Sequence, residues 1–263
     1  MATRKAKPAA KPAAKSGTKT AIRSGTKLKL NASAAQVEDL VAGSRILARY
    51  GVLDSFGHVS ARCDQRPDHF IISRSLAPAL VTAGDLMELD VNSEPLAGDA
   101  RKPFVERYIH GEIYRSRPDV VAVVHSHAAS VIPFGLTGKQ LRPVYHMGGF
   151  LGLGVANFEI RKHAGDTNLL VKDNYLGKAL ARTLGKKCGC VLMRGHGMCT
   201  VGGTIAEAVY RAIYAASNAA IQMQAMAMGG KVTYLTPGEA QLAMEANVAA
   251  IGRPWEHWKR EVL

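Results

Sequence analysis

Residues 120–127, Val-Val-Ala-Val-Val-His-Ser-His, constrain the fold of this chain more than any other stretch. An apolar, β-branched run ending in two histidines has the form of a buried strand whose polar end reaches a site. Side chains alternate across a strand, so His125 and His127 share one face and Ser126 takes the other. Two imidazoles on one face, at the end of a rigid element, suit a divalent metal. They equally suit a hydrogen-bonded pair of core histidines, and His-x-His alone does not separate the two readings.

The elements around this strand follow from periodicity and stop signals. Pro103 is placed to open a helix over residues 104–117, which Pro118 brings to an end. In that helix Glu106 and His110 are four apart and share a face, setting a carboxylate and an imidazole just before the strand. A surface Glu-His pair is the plainer account of the same spacing. Upstream, Asn31 or Ser33 can cap a helix with Val37, Leu40, Val41, Leu47 and Ala48 on its apolar face and Gly51 at its exit. A turn enters a strand in residues 54–62, and residues 69–73 and 86–90 read as two more strands with a loop of small residues between them.

Downstream, residues 134–158 are glycine-rich and expected to be irregular, as active-site loops often are. A helix is expected over 174–184 and a short strand over 190–193. Arg194-Gly195-His196-Gly197 then puts a histidine where the backbone can turn sharply, although a lone turn histidine can also be simply exposed. Thr204-Ile-Ala-Glu207 reads as a capping box opening the longest helix, to about Met228, and Gly229-Gly230 ends it. Pro237 begins another helix, and an amphipathic piece from Arg253 closes the chain.

Composition narrows the class. The chain has 263 residues, 47% hydrophobic and 21% charged, in the range of a soluble globular protein. The N-terminal region lacks the apolar core of a signal peptide, and no stretch is apolar enough to span a bilayer. Cys63, Cys188, Cys190 and Cys199 offer no disulfide framework, so a cytoplasmic protein with reduced thiols is expected. The net charge of +13 belongs to one end: nine of the 34 Lys and Arg, and no acid, lie in residues 1–30. The other 25 face 21 acidic residues, which is unremarkable. The basic Lys/Ala/Pro-rich segment 1–30 is expected to be a disordered tail with weak polyanion affinity and no specific nucleic-acid recognition.

Taken together, three stretches resemble the class II aldolase/adducin family: Gly-His-Val-Ser at 57–60, residues 104–127, and Leu-Met-Arg-Gly-His-Gly at 192–197 followed by the Glu-Ala-containing helix. The resemblance implies an α/β fold, a three-layer α/β/α sandwich with a central, mainly antiparallel sheet, as a single catalytic domain over residues 31–263. It implies one divalent metal ion per subunit, held by His125, His127 and His196, with Glu106 as the catalytic carboxylate. It also implies a homotetramer with sites at subunit interfaces. Three imidazoles leave open coordination positions, as catalytic metals require. Zn²⁺ or Mn²⁺ is expected, and Fe²⁺ or Co²⁺ also suits the ligand type.

Departures from the family's sugar-phosphate aldolases narrow the substrate. Those enzymes typically carry Asn where His58 stands, a Thr-Gly turn near residues 73–75, and two serines where Phe104 and Val105 stand. A pocket poorer in hydroxyls and richer in apolar surface is less suited to phosphate. The pattern resembles instead a subgroup of decarboxylases acting on hydroxylated aromatic or pyridine dicarboxylates. That resemblance makes His58, Arg74, His146 and Arg194 candidate substrate contacts, and Ser73, Phe104 and His110 join them as candidates. The expected function is thus a metal-dependent lyase, a carboxy-lyase on a small carboxylate. Its rivals are a retro-aldol lyase on a hydroxy-keto acid or sugar phosphate, and an adducin-like binding module without chemistry.

Overall fold

The computed structural model describes residues 29–263, so the expectation for the basic tail falls, but for Lys29 and Leu30, outside the described residues. The Ser33 hydroxyl accepts from the Gln36 N–H at 3.2 Å and starts α1 (Ala34–Arg49). Strands β1 (His58–Arg62), β2 (His69–Ser73) and β3 (Leu86–Asp90) follow as an antiparallel meander. Then come α2 (Arg107–Ser116), β4 (Ala122–Ser126), α3 (Ile132–Leu136), β5 (Val155–Phe158) and α4 (Arg161–Ala164). The Asp173 carboxylate caps α5 (Asn174–Leu184). The hairpin of β6 (Cys190–Met193) and β7 (Gly197–Gly202) leads into α6 (Ile205–Ala227), α7 (Pro237–Ala250) and α8 (Gly252–Val262).

The seven strands form one sheet in the order β3-β2-β1-β4-β7-β6-β5, antiparallel throughout except for the parallel β5–β6 pair. β4 is the central strand, flanked by β1 and β7 and buried on both faces. Its alternation sorts the core into two. Ala122 and Val124 face Leu40, Leu47, Val209 and Ile213 of α1 and α6, with Trp258 of α8 in the same cluster. Val123 faces Ile109 and Ile113 of α2 and Leu176 and Leu180 of α5. The result is helix, sheet and helix: the expected α/β sandwich. Among the described residues no helix is long and apolar enough to cross a membrane.

Several elements depart from the sequence reading. The helix expected from residue 104 begins only at Arg107; Glu106 stands outside it at φ −89°, ψ 19°. This is the sparsely populated bridge region, where active-site residues are often held. The stretch expected to be irregular contains the end of α3, a 3₁₀ segment (His146–Leu153) and β5. The Thr204 hydroxyl does cap α6, but the Glu207 carboxylate reaches back to the Gly203 N–H rather than to Thr204.

Candidate metal centre

Three separate stretches converge at one end of β4. His125 is the penultimate residue of β4, and its ring is fully buried on the α2/α5 side of the sheet. His127 follows just beyond the strand end and is half-buried. His196 is the last residue of the three-residue turn joining β6 to β7, in which Gly195 takes φ +66° and the His196 N–H donates to the Met193 carbonyl. Glu106 arrives from the start of α2. One ligand atom from each of Glu106, His125, His127 and His196 lies within 4.8 Å of all the others. Glu106 Oε2 is 3.5 Å from both His125 Nε2 and His196 Nε2, and His127 Nε2 is 3.0 Å from His196 Nε2.

Backbone groups aim these side chains. The His125 Nδ1–H donates to the Met198 carbonyl at 3.2 Å, on the neighbouring strand. The His196 Nδ1–H donates to the Leu169 carbonyl at 3.0 Å. Leu169 itself is held at φ 67°, a left-handed conformation a leucine rarely adopts. Two residues on, the Val171 N–H donates to Glu106 Oε1 at 2.9 Å. One short segment thus orients both the carboxylate and a histidine across from it, as outer groups do for ligands.

These bonds assign protons. With hydrogen on Nδ1, His125 and His196 turn bare Nε2 lone pairs toward each other's neighbours and toward a carboxylate. His125 Nε2 is buried with no hydrogen-bond partner. Lone pairs of imidazoles and a carboxylate brought together out of water repel one another unless a cation lies between them. A tetrahedral ion with bonds of about 2.1 Å keeps its ligands roughly 3.4 Å apart, close to the separations observed. The donor set therefore fits a divalent metal. Burial opposes ionisation of Glu106, yet positive charge beside it, on His125 and His196 when they are protonated, holds it well below the usual carboxylate range, the part a bound cation would take. Burial, then His125 and His196, lower His127 to about 4.

Close backbone approach is a condition of this geometry. A Cβ on Gly197 would meet the Ser126 carbonyl oxygen and lie against the His127 backbone. Gly197→Ala is expected to force β7 away from β4 and to cost about 1–3 kcal/mol of stability. An unchanged midpoint in chemical denaturation would contradict so tight a contact.

The remaining candidates divide. His58 on β1 is paired directly with His125, their ring centroids 5.2 Å apart, and Phe104 packs on the other side of His58 at 4.4 Å. The β1–β2 register, carried two residues on from Ser60–Ile72, sets Arg74 level with His58. Arg74 Nε donates to Asp85 at 2.7 Å, while its Nη groups have no partner among the described residues. Ser73 ends β2, buried and paired with Leu86. His110 is not available as a substrate contact: it is fully buried and both ring nitrogens are taken, by His58 and by Ser60, each at 2.6 Å. Glu106 stands outside α2, so it does not share a helix face with His110. Arg194 is held by Glu159 through two bonds of 2.9 Å, on a carboxylate it shares with Arg161, so its Nε and one Nη are already used. His146 opens the exposed start of the 3₁₀ segment, its carbonyl tied to Asn247, and is not brought to the cluster. The sequence reading missed Ser60 and Tyr114, Glu159, and the backbone donors and acceptors at 169, 171 and 198. Alternation from His58 to Ser60 and the i,i+4 step from His110 to Tyr114 could have revealed the first two.

The buried His58–His110 pair carries a pH signature. Burial, then His125, lower His110 from its usual 6.5 to about 3, and burial and His110 lower His58 as well. Between those pH values the unfolded histidine binds a proton that the native one refuses, so stability falls as pH drops from 6.5 toward 3. Urea midpoints of the metal-free protein should decline across this window, and His110→Asn should flatten the decline. A slope unaffected by that substitution would refute the assignment.

Comparison with known proteins matches this architecture. Residues 38–223 match the family model described as the Class II Aldolase and Adducin N-terminal domain, and the chain belongs to that family. It is 39% identical over 248 residues to the decarboxylase tropJ of Talaromyces stipitatus, covering 86% of this chain and 93% of the relative. It is 32% identical to the 3,4-dihydroxyphthalate decarboxylase of a Terrabacter species, covering 75% and 84%. Among solved structures, the L-fuculose 1-phosphate aldolase of Glaciozyma antarctica superposes with a TM-score of 0.70 at 24% identity, over 87% of this chain and 91% of the other, which shows the shared fold. The two decarboxylase relatives support a lyase.

Proposed function

We propose that this chain is a metal-dependent carboxy-lyase that removes CO₂ from a hydroxylated aromatic or pyridine dicarboxylate. The observation that carries the reading is the convergence of three imidazoles and the Glu106 carboxylate beside an aromatic wall, His58 and Phe104. The two decarboxylase relatives support it.

His125, His127 and His196 would hold the metal. When bound, a divalent ion at this position supplies Lewis-acid stabilisation of developing negative charge on a substrate oxygen. Glu106 is poised ionised, so it first accepts a proton, from the ring hydroxyl ortho to the leaving carboxylate. It then delivers that proton to the ring carbon bearing the carboxylate. The C–CO₂ bond breaks, its electron pair restores the aromatic ring, and CO₂ departs. Arg74, through its Nη groups, and His58 would bind the carboxylates, and Phe104 would pack on the ring.

The test is a substrate panel. Purified protein reconstituted with Zn²⁺ or Mn²⁺ is incubated with 3,4-dihydroxyphthalate, related ortho-hydroxylated dicarboxylates and a set of hydroxy-keto acids. Release of CO₂ from the aromatic acids is expected. Aldehyde or ketone formation from the hydroxy-keto acids, without CO₂ from the aromatic acids, would overturn the reading in favour of an aldol lyase. The reading includes a homotetramer whose neighbouring subunit completes the pocket; a monomer in light scattering at micromolar concentration would overturn that part.

A further inference from the structure

Behind His58 runs a buried chain of hydrogen bonds that makes none to the candidate metal ligands. His58 Nδ1 lies 2.6 Å from His110 Nε2, His110 Nδ1 lies 2.6 Å from the Ser60 hydroxyl, and that hydroxyl lies 2.7 Å from the Tyr114 hydroxyl. His110 and Ser60 are fully buried and Tyr114 nearly so. Phe70 packs against both His110 and Tyr114. His58 and Ser60 share a face of β1 because they are two apart, and His110 and Tyr114 share a face of α2 because they are four apart. The chain is therefore built by two rigid elements. Its one open end is His58 Nε2, which has no partner among the described residues.

Counting protons fixes its direction. Neutral imidazoles carry one N–H each and the two hydroxyls one O–H each. If His58 donated through Nδ1, His110 would have to accept at Nε2 and donate from Nδ1 to Ser60. Either the Ser60 or the Tyr114 proton would then lack an acceptor in a sealed environment. In the opposite direction Tyr114 donates to Ser60, Ser60 to His110 Nδ1, and His110 Nε2–H to His58 Nδ1. Every buried proton is then used, and an unpaired buried donor is the costly alternative.

We propose that Tyr114, Ser60 and His110 are positioning residues that lock His58 as its Nε2–H tautomer. His58 then presents an N–H donor to an anionic oxygen of the substrate and is barred from acting as a further imidazole ligand to the ion, although its ring lies beside that of His125, tilted at 47°. The identity of the anion rests on the carboxylate substrate proposed above; the tautomer does not. Burial, followed by the neighbouring His110, keeps His58 neutral, in accord with one proton per ring.

Long-range ¹H–¹⁵N spectra of the Zn²⁺-loaded, histidine-labelled protein read the tautomer directly, with His58 assigned by its loss in His58→Gln. The expected result is a proton on His58 Nε2 and a bare Nδ1 in the wild type. Ser60→Ala, which removes the proton donated to His110 Nδ1, should introduce the other tautomer. Its KM for 3,4-dihydroxyphthalate should rise about five- to tenfold, more than its kcat falls. A wild-type His58 carrying its proton on Nδ1 would overturn the proposal, as would a tautomer unmoved by Ser60→Ala. Because the wild-type spectrum alone decides the first point, a variant that fails to fold does not rescue the idea. Absence of CO₂ release with the expected tautomer would count against the decarboxylase reading only; CO₂ release with the opposite tautomer would count against this chain only.

Discussion

Glu106→Gln is expected to lower turnover by roughly 10²- to 10⁴-fold, the range associated with loss of a positioned proton-transfer group, while the protein stays folded and keeps its metal. The substitution is nearly isosteric. The amide oxygen can still accept the Val171 N–H that Glu106 Oε1 accepts at 2.9 Å, so the turn before α2 has no reason to move. The amide nitrogen would occupy the place of Oε2, 3.5 Å from His125 Nε2 and His196 Nε2. There it can donate where the carboxylate could only accept. What is lost is a group that stays ionised in the resting site and can take up and return a proton. Steady-state turnover, read together with metal content per chain, separates the two roles of the carboxylate. Full activity in Glu106→Gln would end its assignment as the proton-transfer residue. A normal rate deficit accompanied by loss of metal would instead make Glu106 chiefly a ligand.

Much of this site was legible because its strands carry their pattern in one dimension. The apolar run ending in His125 and His127 could be read as a buried strand, and alternation put the two rings on one face. His-Phe-Ile-Ile-Ser at 69–73 and Leu-Met-Glu-Leu-Asp at 86–90 are bounded as read, and so are α5 and β6. The strands that escaped have little pattern of their own. β7, Gly-Met-Cys-Thr-Val-Gly, begins and ends in glycine, and its strand character comes from pairing with β4 on one side and β6 on the other. β5 has four residues in a glycine-rich stretch and is held by β6 alone, at the edge of the sheet. With β7 unread, the hairpin that swings His196 onto His127 was invisible, and only the family resemblance joined that residue to the pair.

The substrate contacts were less legible for a different reason. Spacing says which residues share a face, not which of their polar atoms are already used. Arg194 and His110 are chemically able groups, and tertiary partners have claimed both. Glu159 is 35 residues from Arg194 in sequence and meets it only because β5 and β6 run side by side. The aiming of the ligands is carried by the main chain at Leu169, Val171 and Met198, which no side-chain pattern reports.

The larger loss is expected for His125→Ala, which should abolish metal retention and activity together. Of the three imidazoles His125 is the most tightly fixed. It is fully buried in the central strand, with its Nδ1–H on the Met198 carbonyl and its Nε2 without a protein partner. A ligand on a paired strand loses little freedom on binding, so it contributes more to holding an ion than one at a flexible end. Outer-sphere substitutions commonly cost metal sites about 10–100-fold in affinity, and removing an imidazole ligand itself should exceed that. His127, half-buried just past the strand end, should be the milder loss. The expected order of retained metal after dialysis is therefore wild type, then His127→Ala, then His125→Ala. Elemental analysis of the dialysed proteins measures it. Replacement of His125 also leaves a cavity in the layer between β4 and α2, so thermal midpoints should be recorded with and without added Zn²⁺. The wild type is expected to gain stability from the ion by mass action, and the His125→Ala protein to gain almost none. Equal stabilisation of the two by Zn²⁺ would show that the ion is held elsewhere, and the cluster at the end of β4 would then be a buried polar network rather than a metal centre.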